Sequence, residues 1–280
     1  MTADPKTLQT FFFGDASRRL FGALALPPGG KAHTGIVVSP PFGEEMFNTY
    51  NRLSRWSKVM ALEGFAVLRY HPYGTGDSDG QFPDFTLDGA VADLVTATER
   101  LRREPGLRRL GVLGVRFGAA VAVRAAPVNS TEFMAMWSPM IDLNQYFREI
   151  LRFKLTNGMV HQQGDAPKIT LKTMTQDLLA DKAVDVVGYA VSRPLYEQMR
   201  SVTAWPDEPP SPRILVLSRP SEDAEEAPQI SSWRERGADV RLSVVKYPVF
   251  WEDFRGGTPP ELTLATRAWM AESVAQKAAS

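Results

Sequence analysis

Six short apolar runs, at residues 36–39, 66–70, 110–114, 133–137, 214–218 and 240–245, recur along the chain between longer segments of helical pattern. Each run is nearly continuous in its apolarity rather than alternating, as in strands buried on both faces. The pattern therefore predicts a mainly parallel sheet with helices on either side. Two further runs, 10–14 and 18–26, flank Gly14-Asp-Ala-Ser17 and read as a hairpin ahead of the first parallel strand. Between the second and third parallel runs, Leu87, Val91, Leu94, Val95 and Leu101 recur at helical spacing, with Asp93, Glu99, Arg100 and Arg103 on the other face. That stripe predicts an amphipathic helix packed on the sheet.

The alternation stops after residue 137. Helical character around 143–155, 169–179 and 194–202, including Tyr146, Phe147 and Phe153, fills the gap, and Ala204-Trp-Pro-Asp-Glu-Pro-Pro-Ser-Pro212 reads as a stiff connector back to the sheet. A long insertion of this kind is expected to cover the carboxyl edge of the sheet. The chain thus divides into a core of residues 1–137 and 206–280 and a helical lid of residues 138–205.

Composition narrows the function classes. The chain of 280 residues is 44% hydrophobic and 23% charged, the proportions of an ordinary folded domain. Lysine plus arginine and aspartate plus glutamate number 32 each, so no overall field points to nucleic acid or an anionic membrane. The absence of cysteine excludes disulfides, thiolate metal sites and cysteine nucleophiles. One lid histidine and scattered carboxylates show no metal-ligand spacing, and no metal or cofactor is expected. Residues 1–10 lack a basic-then-apolar signal and no apolar run reaches the roughly 18 residues of a membrane helix, so a cytoplasmic protein without a membrane span is expected.

The stretch GVLGVRFGAAVAVRAA, residues 111–126, has the outline of a buried strand, a sharp turn and a helix of small residues. Gly114, Gly118, Ala119 and Ala120 permit close approach of strand and helix, and place Arg116 at the apex of the turn. A guanidinium at a helix amino end stays protonated, offers only donors and favours an anion beside it.

With Pro40-Pro-Phe-Gly-Glu-Glu-Met46, Tyr73-Gly-Thr-Gly-Asp-Ser78, Gly114-Val-Arg-Phe-Gly118, Val184-Asp-Val-Val-Gly-Tyr-Ala-Val-Ser192 and Phe250-Trp251, the chain resembles the α/β-hydrolase superfamily throughout. Within it, the sequence is most similar to the exosortase A system-associated hydrolases of the second type, found in exopolysaccharide gene neighbourhoods. The resemblance implies an α/β-hydrolase fold with a lid, and a Gly-x-Arg-x-Gly turn where most of the superfamily carries Gly-x-Ser-x-Gly. It also implies that the acid of a triad would fall near Asp223, and that the histidine would fall after the last strand, where Tyr247-Pro-Val-Phe-Trp-Glu-Asp253 has none. His33 and His161 lie elsewhere, and His71 follows an early strand.

Arg116, Glu45, Glu44 and His71 are the catalytic candidates, with Phe42, Gly43, Phe117, Asp223 and Trp251 as candidate ligand contacts. Glu44 and Glu45 are expected on an extended loop facing the apex, one inward and one in solvent. Arg116 is expected either to pair with Glu45, Glu44 or Asp223, or to anchor an anion. Tyr73-Gly-Thr-Gly-Asp-Ser-Asp-Gly80 lacks the lysine of a phosphate loop and reads as a structural turn. Three functions fit these residues. One is a non-covalent enzyme on an anionic or carbonyl-containing small molecule in a polysaccharide or natural-product pathway. A non-catalytic ligand-binding or scaffold protein is the second, with a homodimer compatible with either. A conventional ester or thioester hydrolase is the third.

Overall fold

The computed structural model describes residues 7–159, 170–220 and 227–276. Strands β1 (Leu8–Asp15) and β2 (Arg18–Ala25) form the expected hairpin, turning through Ala16 and Ser17. The apolar runs then appear in order as β3 (Thr34–Ser39), β4 (Phe65–Tyr70), β5 (Arg109–Val115) and β6 (Phe133–Trp137). Beyond the insertion follow β9 (Arg213–Ser218) and β10 (Asp239–Val244). The eight strands form one sheet in the order β1-β2-β4-β3-β5-β6-β9-β10, antiparallel in its first three members and parallel from β4 onward. This is the α/β-hydrolase fold.

Successive side chains along the central strands divide between two cores, as the period of two requires. Val37, Leu68 and Val112 face helices α2 (Leu87–Arg102) and α3 (Phe117–Ala125), whereas Ile36, Val38, Val67 and Leu113 face α1 (Gly43–Leu62) and α8 (Pro260–Gln276). Trp56 of α1 and Trp137 of β6 meet edge to face at 5.4 Å in the second core, and the Trp137 indole donates to Thr266 of α8 at 2.9 Å. Helix α7 (Pro228–Glu235) packs Ile230 into the first core.

One residue on α2 departs from the sequence expectation. Asp93, read as part of the polar face, is 2% exposed. The hairpin and the turn after β4 cover that face, and the carboxylate accepts from Arg18 Nη2 at 2.9 Å and from the Tyr73 amide at 2.8 Å. A helical wheel records which residues are apolar, not what a distant hairpin brings to the other side.

The segment between β6 and β9 contains α4 (Leu143–Met159), α5 (Leu171–Leu179) and α6 (Arg193–Arg200). It also contains a short hairpin, β7 (Val184–Val186) and β8 (Tyr189–Val191), which the helical reading of the insertion did not anticipate. Three-residue strands are too short to show a period.

Candidate ligand site

Strands β3 and β5 are neighbours, yet the chain leaves β3 for α1 on one face of the sheet and β5 for α3 on the other. Such a reversal opens a crevice outside the carboxyl ends of the strands, where open α/β sheets hold their ligands. Arg116 stands there as the residue before α3, at φ +54° and ψ −121°, a strained conformation for a side chain other than glycine. Its amide donates to the Trp137 carbonyl at 3.0 Å, and its carbonyl accepts from the Ala119 amide at 3.0 Å. The close approach expected of the small residues is present: a Cβ on Gly114 would lie 2.5 Å from the Ala119 Cα, and one on Gly118 would lie 2.1 Å from the Ser39 carbonyl oxygen.

The guanidinium is gripped from two sides. Arg116 Nη2 donates to Glu45 Oε1 at 3.0 Å and Nε lies 3.3 Å from each Glu45 oxygen, with the two side chains only 11% and 17% exposed. Trp251 lies against the cation, its ring centroid 4.0 Å from Cζ, and Tyr146 lies at 5.6 Å. Helix α1 organises both jaws. Its first turn carries Glu45, its Asn48 side chain donates to the Trp251 carbonyl at 3.0 Å, and Arg52 donates to the carbonyls of Asp253, Arg255 and Gly257.

The expected extended loop for Glu44 and Glu45 is therefore corrected. Both occupy the first turn of α1, where acidic residues suit the positive end of the helix dipole. Neighbouring residues on a helix project about 100° apart rather than to opposite faces, and both carboxylates line the same cavity.

That cavity measures about 260 Å³ and lies over Arg116. Of the expected ligand contacts, Phe42, Gly43 and Trp251 line it. Phe117 does not: it is 1% exposed and packs on Phe42 and Phe85 with ring centroids 5.5 and 6.0 Å away. Asp223 lies outside the described residues, as do His161 and the side chain of Phe153. The insertion adds Tyr146 and Glu149, spaced three apart on α4, and Tyr189 from the hairpin. Of these only Tyr189 falls in a motif that carries the family resemblance, and Glu149 had no signal at all. Burial raises the Glu44 carboxyl above its usual range. The Tyr146 hydroxyl is raised well above its ordinary value, by burial first and by the Glu45 charge second. It makes no hydrogen bond of ordinary geometry.

His71 stands apart from Arg116, in a neighbouring cavity of about 460 Å³ that shares Gly43 and Tyr189 with the first. Its Nδ1 accepts the Asp77 amide at 2.9 Å, which leaves the proton of the neutral ring on Nε2. Ser78 Oγ donates to the His71 carbonyl at 2.5 Å and accepts the Phe21 amide at 2.8 Å, so the glycine-rich turn serves to hold this histidine. Burial lowers the His71 pKa, Asp77 opposing and Arg69 adding to the effect. A histidine with a depressed folded-state pKa takes up its proton more readily when unfolded, so stability falls as pH drops through the unfolded value of about 6.5. Melting curves between about pH 7.5 and 5.5 are expected to show this loss, and His71→Gln to flatten it; an unchanged slope in the variant would remove His71 as its source.

Among the described residues no group of three or more histidines and carboxylates is placed to hold a metal ion, and no helix is long and apolar enough to cross a membrane.

The model of the serine aminopeptidase S33 family matches residues 43–200, more than half of the chain. Over 127 residues the sequence is 28% identical to the uncharacterized protein PA2218 of Pseudomonas aeruginosa, 42% of this chain and 32% of that protein, so the matched region is about a third of the relative's length. The crystal structure of PA2218 superposes with a TM-score of 0.59 at 16% identity, covering 88% of this chain and 87% of that one. Est1E of Butyrivibrio proteoclasticus, solved with ferulic acid bound, superposes with a TM-score of 0.63 at 15% identity, covering 95% of this chain and 99% of that one. At these identities the likeness is one of fold.

Proposed function

The chain belongs to the serine aminopeptidase S33 family of α/β-hydrolases, and we propose that this member binds a small molecule in the cavity above Arg116 without ever forming an acyl-enzyme. The observation that carries the reading is the residue at the apex: a guanidinium in an ion pair with Glu45 and stacked on Trp251 stands where a nucleophile would have to be. Arginine has no nucleophilic lone pair to offer and does not lose its proton. Absence of a Ser-His-Asp triad is further supported by the histidines, since neither His33 nor His71 lines the cavity. Ser138, the serine nearest in sequence to the end of β6, is fully buried and shares a 2.6 Å hydrogen bond with Tyr247. Segment 138–205 serves as the cap of the pocket, supplying Tyr146, Glu149 and Tyr189 to its wall. A place in a polysaccharide or natural-product pathway rests on the family resemblance alone.

A second reading, a non-covalent enzyme, is favoured by Glu44. It is half-buried on the cavity wall, pairs with no cation among the described residues, and holds its proton more firmly than a solvated carboxyl because of burial, which suits a group that gives and takes a proton. His71, in the neighbouring cavity, does not share that wall.

A fluorophosphonate probe tests the absence of covalent catalysis. The native protein is expected to stay unlabelled under conditions that label a serine esterase completely. Stoichiometric labelling that one serine substitution abolishes would overturn the reading.

A further inference from the structure

We infer that the second cavity, on which His71 opens, is a binding site for a small organic carboxylate: its apolar body lies among the aromatic rings of the cavity and its carboxylate accepts the Nε2 proton of the histidine. The site is separate from the one above Arg116 and stands or falls without it, although the two cavities share Gly43 and Tyr189.

The histidine is held so as to present one donor. His71 is 7% exposed, and the glycine-rich turn after β4 closes over one edge of its ring. Asp77 donates its amide to Nδ1 at 2.9 Å, and a Cβ on Gly76 would lie 2.3 Å from that nitrogen, so only glycine lets the turn come so near. The Asp77 carboxylate, 3.5 Å from Nδ1, lies on this same edge and is largely in solvent. Nε2, across the ring, makes no hydrogen bond with the described residues and yet is not one of their enclosed polar atoms that lack a partner. It therefore reaches a surface, and the surface His71 lines is the cavity. With the proton of the neutral ring on Nε2, that surface offers a donor to an acceptor.

The charge around this donor favours an anion. None of the side chains lining the cavity is acidic. Arg69 lies two residues before His71 on the same strand course, and so on the same face of the sheet. It is 8% exposed, forms no ion pair among the described residues and leaves its Nε without a hydrogen bond. Tyr50 of α1 joins the two: its ring centroid lies 5.2 Å from Arg69 Cζ and 5.5 Å from the His71 ring, and it forms part of the cavity wall. The Arg69 charge reaches the histidine, since it adds to the burial that lowers the His71 pKa. A buried guanidinium without a counter-charge is costly, and an anion held at Nε2 would offset part of that cost through space.

The rest of the wall suits an apolar body. Phe82 and Tyr189 meet with ring centroids 4.8 Å apart, and Phe47 and Phe254, both exposed, pack on each other at 6.2 Å. Large rings left in water beside a cavity are a surface that an apolar ligand covers. A volume of about 460 Å³ lies within the range of small-molecule sites and holds one ring with a short chain.

Three probes of matched length test the site: 3-phenylpropionate, 3-phenylpropan-1-ol and 3-phenylpropylamine, titrated calorimetrically into the whole protein at neutral pH and low salt. The carboxylate is expected to bind about tenfold more tightly than the alcohol, because its acceptor is charged, with the amine weakest. The chain has three histidines, so His33→Gln with His161→Gln leaves His71 alone, and its Nε2 resonance in isotope-labelled protein is expected to move as the carboxylate is added. Arg69→Met, which keeps the aliphatic stem without the charge, is expected to cut the carboxylate preference several-fold and leave the affinity for the alcohol unchanged. His71→Asn, which keeps an acceptor for the Asp77 amide but brings no donor to the cavity, is expected to weaken the carboxylate about tenfold. An amine that binds as tightly as the carboxylate overturns the anion assignment. Carboxylate binding that leaves the His71 resonance unmoved and is indifferent to Arg69→Met places the ligand elsewhere, which overturns this site and leaves the reading of the cavity above Arg116 intact. No binding by any probe at millimolar concentration overturns the site outright.

Discussion

Replacing Arg116 with alanine is expected to lower the stability of the fold by about 3 kcal/mol, the lower end of the range for breaking a buried ion pair from one side. The lower end applies because the side chains keep 11% and 17% of their exposure, so water reaches part of the stranded Glu45 charge. Loss of the stack on Trp251 adds a smaller term. Two companion variants separate the contributions. Arg116→Gly loses the same pair but relaxes the backbone at φ +54°, and is expected to be more stable than the alanine variant by about 1 kcal/mol. Adding Glu45→Gln to Arg116→Ala removes the stranded charge and is expected to restore part of the loss, a coupling that a double-mutant cycle in urea measures directly. Arg116→Ala with an unchanged denaturation midpoint would show that the pair contributes nothing to the fold. In none of these variants is ester hydrolysis expected, Arg116→Ser included, because neither described histidine lines the cavity beside the new hydroxyl.

Gly118→Ala is expected to be more damaging still. The added methyl would stand 2.1 Å from the Ser39 carbonyl oxygen and 2.5 Å from that of Pro40, and both obstacles are backbone at the end of β3. Relief requires α3 to withdraw from the sheet, which separates the very elements that hold Arg116 opposite Glu45. A cost above about 4 kcal/mol is expected, enough to leave little folded protein at 37 °C. Gly188→Ala, in the turn between β7 and β8, is the control. It carries a left-handed requirement at φ +85° that Gly118 does not, but has no atom within 4 Å, and is expected to lose only about 1 kcal/mol. Soluble yield and thermal melts compare the two, and a Gly118→Ala protein that melts like wild type would remove the close-packing argument.

The strands were legible because a parallel strand buried on both faces has to be apolar throughout, and each of the six runs became a strand with ends shifted by no more than two residues. The turn around Arg116 was legible for a similar local reason: glycine at 114 and 118 and alanine at 119 and 120 answer a steric demand made within a few residues of chain. Asp93 was misjudged because its environment is made by Arg18, 75 positions away; for Glu44 and Glu45 the pairing with Arg116 was among those expected, and what differed was the local backbone, the first turn of α1 in place of an extended loop.

By itself, then, the sequence determined the sheet, its covering helices, the small-residue approach of strand to helix and the identity of the cation at the apex, since each depends on period or on short-range sterics. Only the tertiary structure decided what that cation faces. Pairing with Glu45, the cover of Trp251, the exclusion of Phe117 and His71 from the cavity and the gathering of Glu44, Glu149 and Glu252 around it come from elements distant in the chain. Charge interactions act through space, and the sign of a pocket is the sum over whatever the fold brings within a few ångströms.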